Sequence, residues 1–456
     1  MPITINPADG TTLAEYAHFD AAQIEATLAR THASQSAWAR LGLEGRAAQL
    51  AAIGSRLRAR LDECAGMMAD EMGKPLAQGR AEIDKCAWLC EWLAEHGPAM
   101  LADEPASTEA LRSYASPQPL GVVFAIMPWN FPFWQVFRAG APALLAGNAI
   151  LLKHAESTLG CALLLEQIVR EAGVAEGVLA NLIASHEVAA ELIGDPRIAG
   201  VTLTGSVRAG RAVAAAAGGA LKKVVLELGG SDPYVILADA DLDHAAAICV
   251  KARLHNSGQT CVAAKRFIVV EAVADAFAQR VHAGLAAAKL GHPRDPATTV
   301  GPMARVDLRD ELHAQVERSV AAGARLRLGG RLPEGPGAFH PVTLLDEVRP
   351  GMPAADEELF GPVAAILRVA DEAEAIAIAN ASEFGLGAAV FTRDLARGEA
   401  IARELLAAGC CFVNEQVRSD PRLPFGGIKH SGHGRELGRA GLHEWVNLKT
   451  VWVANP

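Results

Sequence analysis

Apolar residues spaced three and four positions apart dominate the N-terminal part of the chain. This spacing predicts amphipathic helices from Asp20 to Leu101. The pattern then changes to short apolar runs separated by helical stretches. The runs that predict buried strands are "LGVVFAIM", "AILLKHA", "LANLIAS", "IAGVTLTGS" and "KKVVLELGG". Strands that alternate with helices indicate a parallel sheet with helices on both faces, as in dinucleotide-binding domains.

The alternation of strands and helices restarts after Gly230. The strands "PYVILADA" and "RFIVVE" flank a helix that begins at Leu242, which predicts a second α/β domain from about residue 230. Glycine and proline residues between Gly329 and Pro341 predict a surface loop. The tail "EWVNLKTVWVA" is an apolar strand that needs an edge to pair with, and a partner subunit could supply that edge.

Composition and charge narrow the possible classes of protein. The chain has 456 residues, more than one hydrophobic core usually organises, so two or three domains are expected. Its 42 basic and 52 acidic residues give a net charge of −10, which argues against nucleic acid or an anionic membrane as partner. The eight cysteines form no CxxC pair, so we expect no metal site, no disulfide framework and a cytoplasmic protein with reduced thiols. We expect no signal peptide and no membrane span, because no apolar stretch approaches the roughly 18 residues required.

Cys261 is the first candidate for a catalytic role. Of the eight cysteines, it alone lies in a polar turn between predicted elements, in "HNSGQTCVAAKRF". A cysteine attacks as its thiolate, and an ordinary pKa of roughly 8.5 leaves little thiolate at neutral pH, so a base or a helix N-terminus is needed nearby. The alternative for any single cysteine is burial as a small apolar residue.

Glu227 is the candidate base. It ends an apolar strand in "VVLELGGSDP", just before two glycines that let the backbone turn sharply and leave room for a ligand. A carboxylate in that place is costly to bury unless it is paired or functional, and strand ends face the crevice where α/β sheets bind ligands. The alternative is that Glu227 only caps the segment that follows.

Asn130 is the candidate oxyanion donor. It lies in "MPWNFPFW", where prolines on both sides stiffen the turn. An asparagine amide and the backbone N–H of the nucleophile form a suitable donor pair for a tetrahedral oxyanion. Taken alone, an asparagine between prolines is more often an ordinary turn residue.

The turn "TLTGSVRAG" is the candidate phosphate site. Gly205 and Ser206 lie between a strand and the Ala-rich helix predicted from Ala209, whose N-terminal N–H groups would face a pyrophosphate. The turn lacks a GxGxxG fingerprint, so its evidence is weak by itself. Lys153 and Glu156, just after the strand "AILL", could contact the ribose and phosphates of an adenosine, or could simply be a solvated strand end.

Seven motifs together resemble the aldehyde dehydrogenase superfamily. In chain order they are "PWNFP", "LLKHAEST", "TGSVRAG", "LELGGSDP", "GQTC", "EELFGP" and "PFGGIKHSGHGRELG". The resemblance runs nearly end to end, and Glu227 and Cys261 are 34 residues apart, as the base and nucleophile of the family are. The phrases "KKVVLELGGSDPYVI", "GPMARVDLRDELH" and "FGLGAAVFT" are most similar to the bacterial NAD(P)-dependent succinate-semialdehyde dehydrogenases.

The resemblance implies the α/β aldehyde dehydrogenase fold. We therefore expect a Rossmann-like parallel-sheet cofactor domain from residues 1–107 and 127–229, and an α/β catalytic domain from residues 230–424. Residues 108–126 and 440–456 are expected to form a small β oligomerisation arm. Because that arm pairs between subunits in the family, a homodimer or homotetramer is expected.

The resemblance also implies a mechanism. Glu227 takes the proton of Cys261, whose thiolate attacks the aldehyde carbonyl, while Asn130 holds the oxyanion of the thiohemiacetal. Loss of hydride to the nicotinamide leaves a thioester, and Glu227 then activates the water that hydrolyses it.

The resemblance further assigns residues to cofactor and substrate. The expected cofactor-binding residues are Trp129, Lys153, Glu156, Thr204, Gly205, Ser206, Glu358 and Phe360. A carboxylate at position 156 accepts hydrogen bonds from the ribose and repels the 2′-phosphate of NADP, so NAD is favoured and NADP stays possible. The basic residues His154 and Arg208 lie nearby in sequence and could weaken that preference.

The expected substrate-binding residues leave the aldehyde open. Arg138 matches an arginine that binds the substrate carboxylate, and Ser419, with Arg418 beside it, matches a substrate-binding serine. His255 occupies a position that carries a second arginine in some members, and a neutral histidine binds a carboxylate less firmly. Succinate semialdehyde is thus the leading substrate, with glutarate semialdehyde or a broad aldehyde range as alternatives. A thiol esterase that uses Cys261 without a cofactor, and a non-catalytic member of the family, are the hypotheses outside redox chemistry.

Overall fold

Four helices follow a short N-terminal hairpin, in agreement with the helical spacing of the sequence. The structure is a computed structural model that describes residues 1–455. Asp20 starts the first helix with a capping box: it accepts a hydrogen bond from the Gln23 N–H, and the Gln23 side chain accepts one from the Asp20 N–H. The elements are β1 (Ile3–Ile5), β2 (Thr12–Glu15), α1 (Ala21–Arg40), α2 (Gly42–Ala59), α3 (Leu61–Met72), α4 (Leu76–Met100), β3 (Glu104–Pro105) and β4 (Arg112–Pro119).

A six-stranded sheet forms from the first series of alternating strands and helices. Its elements are β5 (Val122–Met127), α5 (Trp134–Leu145), β6 (Ala149–His154), α6 (Leu159–Glu171), β7 (Leu179–Asn181), α7 (His186–Ile193), β8 (Ile198–Thr204), α8 (Val207–Gly219) and β9 (Lys223–Glu227). The strand order is β9-β8-β5-β6-β7 with all neighbours parallel, and a late strand, β17 (Gly432–His433), joins β9 antiparallel. The Ala-rich helix predicted from Ala209 begins two residues earlier, because Ser206 caps it.

A seven-stranded sheet forms from the second series. Its elements are β10 (Asp232–Ile236), α9 (Leu242–Leu254), β11 (Ala264–Val270), α10 (Glu271–Ala286), α11 (Val306–Ala321), β12 (Arg325–Leu328), β13 (Thr343–Asp346), α12 (Pro353–Asp356), β14 (Val363–Val369), α13 (Glu372–Asn380), β15 (Gly387–Phe391), α14 (Leu395–Ala400) and β16 (Cys410–Val413). The order is β12-β13-β14-β11-β10-β15-β16, parallel except for β12 against β13. No helix or strand lies between Gly329 and Pro341, where the sequence predicts a loop.

Each large sheet is covered on both faces, which explains why its strands are apolar throughout. Along β5, Val123 packs into the cluster formed with α4 and α5, whereas its neighbour Phe124 packs into the cluster formed with α7 and α8. The second sheet separates two further apolar clusters in the same way. Helices on both faces of two mostly parallel sheets confirm the α/β fold class.

The tail strand pairs within its own chain. After α15 (Gly438–His443), β18 (Val446–Val453) runs antiparallel to β4 over eight residue pairs, in the order β18-β4-β3. Residues 122–126, which the predicted domain division gives to the arm, lie in β5 of the six-stranded sheet. None of the helices formed by residues 1–455 is long and apolar enough to cross a membrane.

Candidate active site

The carboxyl edge of the six-stranded sheet gathers residues that are far apart in sequence. Parallel strands present their carboxyl ends at one edge, so the residues that end or follow β5, β6, β8 and β9 become neighbours. Thr204 and Glu227 are direct partners in the register of β8 and β9. Asn130 follows β5 by three residues, and Lys153 lies at the end of β6.

Cys261 lies where two cavities meet. The first, which we name the turn cavity, has a volume of about 180 Å³ and lies at this sheet edge. The second, which we name the basic cavity, has a volume of about 220 Å³ and lies between α4, α5, the turn before Cys261 and the loop after β16. Cys261 and Gln135 line both cavities. A sulfur in this position can meet ligands that enter from two sides.

Most residues that the sequence assigns to a cofactor line the turn cavity. They are Trp129, Thr204, Gly205, Ser206, Glu358 and Phe360, and the structure places Asn130 with them. Phe360 packs edge-on against Trp129, with ring centroids 5.8 Å apart. The Gly230 N–H donates to Glu358 Oε1 over 3.0 Å, and a side chain at Gly229 would collide with Glu358. The backbone after β9 therefore lies close against the carboxylate that faces the cavity.

The N-terminus of α8 suits a pyrophosphate. Ser206 caps this 13-residue helix by accepting a hydrogen bond from the Ala209 N–H over 3.3 Å. A Cβ at Gly210 would lie 2.5 Å from the Leu228 side chain, so glycine there lets the helix approach the end of β9 closely. Helix N-terminal N–H groups that open into a cavity bind phosphate oxygens. The donor set of the turn cavity thus fits a dinucleotide.

Lys153 and Glu156 lie at the end of β6, outside the lining of the turn cavity. Lys153 is buried, and burial lowers its pKa, although Glu156 opposes the change. The Glu156 carboxylate lies 3.1 Å from Nε2 of His18, a residue that the sequence did not single out. His18 is therefore the histidine in contact with Glu156.

His154 cannot have the effect on cofactor choice that the sequence suggests. Its side chain is buried and hydrogen-bonded through Nδ1 to the Thr158 hydroxyl and through Nε2 to the Pro132 carbonyl, each at 3.0 Å. Burial lowers the pKa of His154 to about 4, so its ring is neutral at physiological pH. Adjacent residues in a strand point to opposite faces, which directs His154 away from the face of Lys153.

The Cys261 sulfur requires a base. Burial raises the pKa of the Cys261 thiol to about 11, and the nearby charges of Arg138 and Lys265 only partly oppose this rise. At neutral pH the residue is therefore a thiol, which is a poor nucleophile until its proton is removed.

Glu227 has the environment of such a base. It is 1% exposed, and burial raises its pKa well above 4.5, with Arg138 opposing and Glu436 reinforcing the rise. Among residues 1–455 neither carboxylate oxygen has a hydrogen-bond partner. A buried carboxylate whose pKa is raised, and whose charge in turn raises the pKa of a candidate nucleophile, is typical of a residue that exchanges protons during a reaction.

Arg138 lies between Glu227 and a second buried carboxylate, Glu436. Its Nε donates to Glu436, a residue that the sequence did not single out, and its Nη2 lies 3.7 Å from Glu227 Oε2. Arg138 also lines the basic cavity, as expected for a substrate residue. The positive charge of its guanidinium nevertheless already faces two buried carboxylates.

Asn130 is held by a network that the sequence does not reveal. Its Nδ2 donates to the Gln259 carbonyl over 3.0 Å, which leaves the second amide hydrogen available. Its backbone carbonyl accepts hydrogen bonds from Lys74 Nζ at 2.9 Å and from Asn256 Nδ2 at 2.7 Å.

Lys74 is in turn paired with Glu82, and both side chains are almost completely buried. The other oxygen of Glu82 accepts from the N–H groups of Phe133 and Trp134, at the start of α5. The turn that carries Asn130 is therefore fixed by three hydrogen bonds from a buried ion pair as well as by its prolines.

The turn before Cys261 is a left-handed reversal. Asn256, Ser257 and Gly258 have φ of +54°, +53° and +77°, and a side chain at Gly258 would collide with the Gly361 carbonyl. Lys265 Nζ donates to the Cys261 carbonyl over 2.6 Å and lies 3.0 Å from Glu358. One ammonium group thus connects the nucleophile turn to the lining of the turn cavity.

The basic cavity contains the remaining predicted substrate residues. Arg138, His255, Arg418 and Ser419 all line it, as does Lys85 of α4, which the sequence did not single out. His255 stacks on Phe131 with ring centroids 5.6 Å apart. Among residues 1–455, no group of three or more His, Cys, Asp and Glu side chains is arranged to hold a metal ion.

Comparison with known proteins agrees with this geometry. The aldehyde dehydrogenase family model matches residues 3–451. The NAD(P)+ succinate semialdehyde dehydrogenase Sad of Escherichia coli is 51% identical over 450 residues, covering 99% of this chain and 97% of the relative. A probable NADP+ succinate-semialdehyde dehydrogenase of Synechocystis is 47% identical, covering 99% of both chains. The solved succinic semialdehyde dehydrogenase of Streptococcus pyogenes, in complex with NADP+, is 36% identical with a TM-score of 0.97 and full coverage of both chains.

Proposed function

The chain belongs to the aldehyde dehydrogenase family, and from that premise we propose that it oxidises succinate semialdehyde to succinate with NAD(P)+. The observation that supports this most directly is the position of Cys261, between a cavity suited to a dinucleotide and a cavity lined by three cationic side chains. An aldehyde that carries a carboxylate fits the second cavity by charge. The names of the relatives from E. coli and Synechocystis point to the same substrate.

The chemistry begins at Cys261. Glu227 removes the thiol proton, directly or through water, and the sulfur then adds to the aldehyde carbonyl. The amide hydrogen of Asn130 that Gln259 leaves free stabilises the oxyanion, and the backbone N–H of Cys261 is the second donor. After oxidation of the adduct, Glu227 passes the thiol proton to solvent and can then deprotonate the water that releases the acid from the Cys261 thioester.

The cofactor residues act by holding and orienting. When bound, the nicotinamide supplies the oxidation by accepting a hydride. Thr204, Gly205 and Ser206 would present backbone and hydroxyl groups to the phosphates and nicotinamide, and Glu358 would face the nicotinamide ribose. Phe360 lies beside Trp129. A thiol esterase would leave this cavity without a purpose, so we favour the redox reaction.

Glu156 and His18 bear on the choice between NAD and NADP. Glu156 favours the free ribose hydroxyls of NAD, but its carboxylate is already engaged in a hydrogen bond with the adjacent His18. We propose that the enzyme accepts both cofactors.

The test is a steady-state comparison of three aldehydes, succinate semialdehyde, glutarate semialdehyde and butanal, each with NAD and with NADP. We expect kcat/KM for succinate semialdehyde to exceed that for butanal by about 100-fold or more, as for a site built to pair a charged group. Equal kcat/KM values for the three aldehydes would contradict the proposed substrate and leave a broad-range enzyme. Absence of NADH and NADPH from all three would contradict the reaction itself.

We also propose a cytoplasmic homo-oligomer. All eight cysteines are free thiols, as expected in a reducing compartment. β18 lies at the edge of its sheet, and two of its apolar residues, Leu448 and Trp452, are 53% and 49% exposed to solvent. Light scattering after size-exclusion chromatography should give the mass of a dimer or tetramer, and a monomer would contradict this proposal.

A further inference from the structure

Lys85 occupies a position in the basic cavity that no predicted role explains. It lies on α4 and lines the same cavity as Cys261. Its Nζ donates a hydrogen bond to Ser419 Oγ over 2.9 Å and lies 4.2 Å from the centroid of the Trp134 ring. The ammonium group is thus held in one place by a serine from the loop after β16 and by an aromatic face from α5.

The three cations of the cavity differ in what balances their charge. Arg138 is paired with Glu436 and Glu227, and Arg418 lies 3.2 Å from Glu415. Lys85 alone among them has no carboxylate within 4.0 Å in residues 1–455. A partly buried ammonium without an anion is unfavourable, and burial lowers the pKa of Lys85 to about 8. The cavity therefore has a place for one negative charge, next to Lys85.

Ser419 strengthens this interpretation through its hydrogen-bond direction. Because its oxygen accepts the Lys85 hydrogen, its own hydroxyl hydrogen is free to donate to a second acceptor. A carboxylate beside the pair can therefore accept one charge-assisted hydrogen bond from Lys85 and one from Ser419. Ser419 is 8% exposed, which keeps water from competing with such a ligand.

We infer that Lys85, together with Ser419, is a further anchor for the distal carboxylate of the substrate, beside Arg138, which lines the same cavity. This inference rests on the proposed function and refines it, since it assigns recognition of the acid group to a lysine on α4. When an aldehyde without an acid group binds, no carboxylate pairs with the Lys85 ammonium. The unpaired cation makes the complex with such an aldehyde less favourable.

The first test changes the charge alone. Lys85→Met should lower the ratio of kcat/KM for succinate semialdehyde to kcat/KM for butanal by about 10- to 100-fold, as expected for loss of a charged hydrogen bond. The matched control is Lys251→Met, which removes a lysine from the exposed face of α9 and should leave the ratio within about twofold. An unchanged ratio in folded Lys85→Met protein would overturn the inference.

The second test separates Lys85 from Arg138. Arg138→Met should lower kcat for both aldehydes, because it leaves Glu436 without its partner, and should also lower their ratio, because Arg138 lines the cavity. A collapse of the ratio in Arg138→Met, with little change in Lys85→Met, would assign the anchor to the arginine. Ser419→Ala, a smaller change that should fold normally, should lower the ratio in the same direction as Lys85→Met by about threefold to tenfold.

A binding measurement keeps this inference distinct from the proposed function. Calorimetric titration of succinate gives a Kd without turnover, and Lys85→Met should raise that Kd by about tenfold or more. If wild-type enzyme does not prefer succinate semialdehyde over butanal, the proposed substrate fails, while a succinate Kd that depends on Lys85 still supports a carboxylate anchor. Equal Kd values for wild type and Lys85→Met would overturn the anchor even if the proposed substrate is correct.

Discussion

The two cavities that meet at Cys261 are built from different parts of the polypeptide. The turn cavity is formed by backbone turns at the carboxyl ends of strands, where short segments such as Thr204–Ser206 supply several contacts at once. The basic cavity is formed by long side chains from α4, α5 and the loop after β16, which approach each other only in the folded chain. A binding site formed by backbone turns is hard to alter by single substitutions. A binding site formed by long side chains can change its ligand when one of those side chains is replaced. This difference predicts which variants should alter cofactor use, which should alter the aldehyde, and which should alter turnover alone.

The largest effect is expected at the junction of the cavities. Cys261→Ala removes the nucleophile and should lower kcat by about 10⁴-fold or more with every aldehyde. Both cavities remain intact, so the Kd for NAD, followed by tryptophan fluorescence, and the Kd for succinate, followed by calorimetry, should stay within about twofold of the wild type. Substantial residual oxidation would show that Cys261 is not the nucleophile.

The second largest effect is expected at Glu227. Glu227→Gln should lower kcat by about 10²- to 10⁴-fold, the range for loss of a general base. In wild-type enzyme, a base must be deprotonated to act, and burial raises the pKa of Glu227 well above 4.5. Activity should therefore fall as the pH decreases through that raised pKa.

The pH profile of kcat/KM for butanal, an uncharged substrate, tests this directly. It should still be rising above pH 6, rather than levelling off near the ordinary carboxyl range, and Glu227→Gln should lose that rise. Glu436→Gln probes the same group in a different way: it removes the carboxylate that reinforces the raised pKa of Glu227, so the rise should persist but move to lower pH. An identical profile in wild type and Glu227→Gln would mean that another group is the base.

A smaller effect is expected behind Asn130. Lys74→Met leaves Glu82 buried without its partner and removes the hydrogen bond to the Asn130 carbonyl. We expect kcat to fall by about 10- to 100-fold, because an oxyanion donor that is no longer fixed loses much of its contribution. The Kd for NAD should change little, and Lys74→Arg should restore part of kcat. A normal kcat in folded Lys74→Met protein would mean that the prolines and the remaining hydrogen bonds fix the turn without Lys74.

The smallest effect is expected at the cofactor ribose. Glu156→Gln removes the charge that disfavours a 2′-phosphate, so kcat/KM with NADP relative to NAD should rise by about threefold to tenfold. His18→Gln should shift the ratio in the opposite direction, because it leaves the Glu156 charge without its neighbour. Neither variant should alter the preference among aldehydes, and a change there would mean that the two cavities are not independent.

The two cavities also differ in how far the sequence predicts them. Glu227 and Ser206 lie in local motifs at the ends of predicted strands, so strand order alone brings them to one sheet edge. Cys261 lies in a local motif too, but in the turn before β11 of the other sheet, so its approach to that edge depends on how the two sheets pack.

Other residues of the site are held by partners that are distant in sequence. Glu436 contacts Arg138, and Lys74 contacts Asn130, across more than fifty residues of chain in each case. No local sequence pattern reveals such partners.

His154 shows that a residue adjacent in sequence need not share the environment of its neighbour. It directly follows Lys153, and yet the alternation of side chains along β6 puts it in a buried, neutral environment. His18 lies more than a hundred residues from Glu156 along the chain, but it is the histidine in contact with that carboxylate. The partner of a carboxylate is set by distances in the folded chain, which a single sequence does not contain.

The face of α4 that carries Glu82 and Lys85 has a consequence for redesign. These residues are three positions apart, so they lie on the same side of the helix, one fixing the start of α5 and the other lining the basic cavity. A library restricted to position 85 can exchange an acid-binding group for an apolar or acidic one while Glu82 keeps the oxyanion turn in place. A single helix position thereby offers a route from a semialdehyde enzyme to one for neutral or cationic aldehydes.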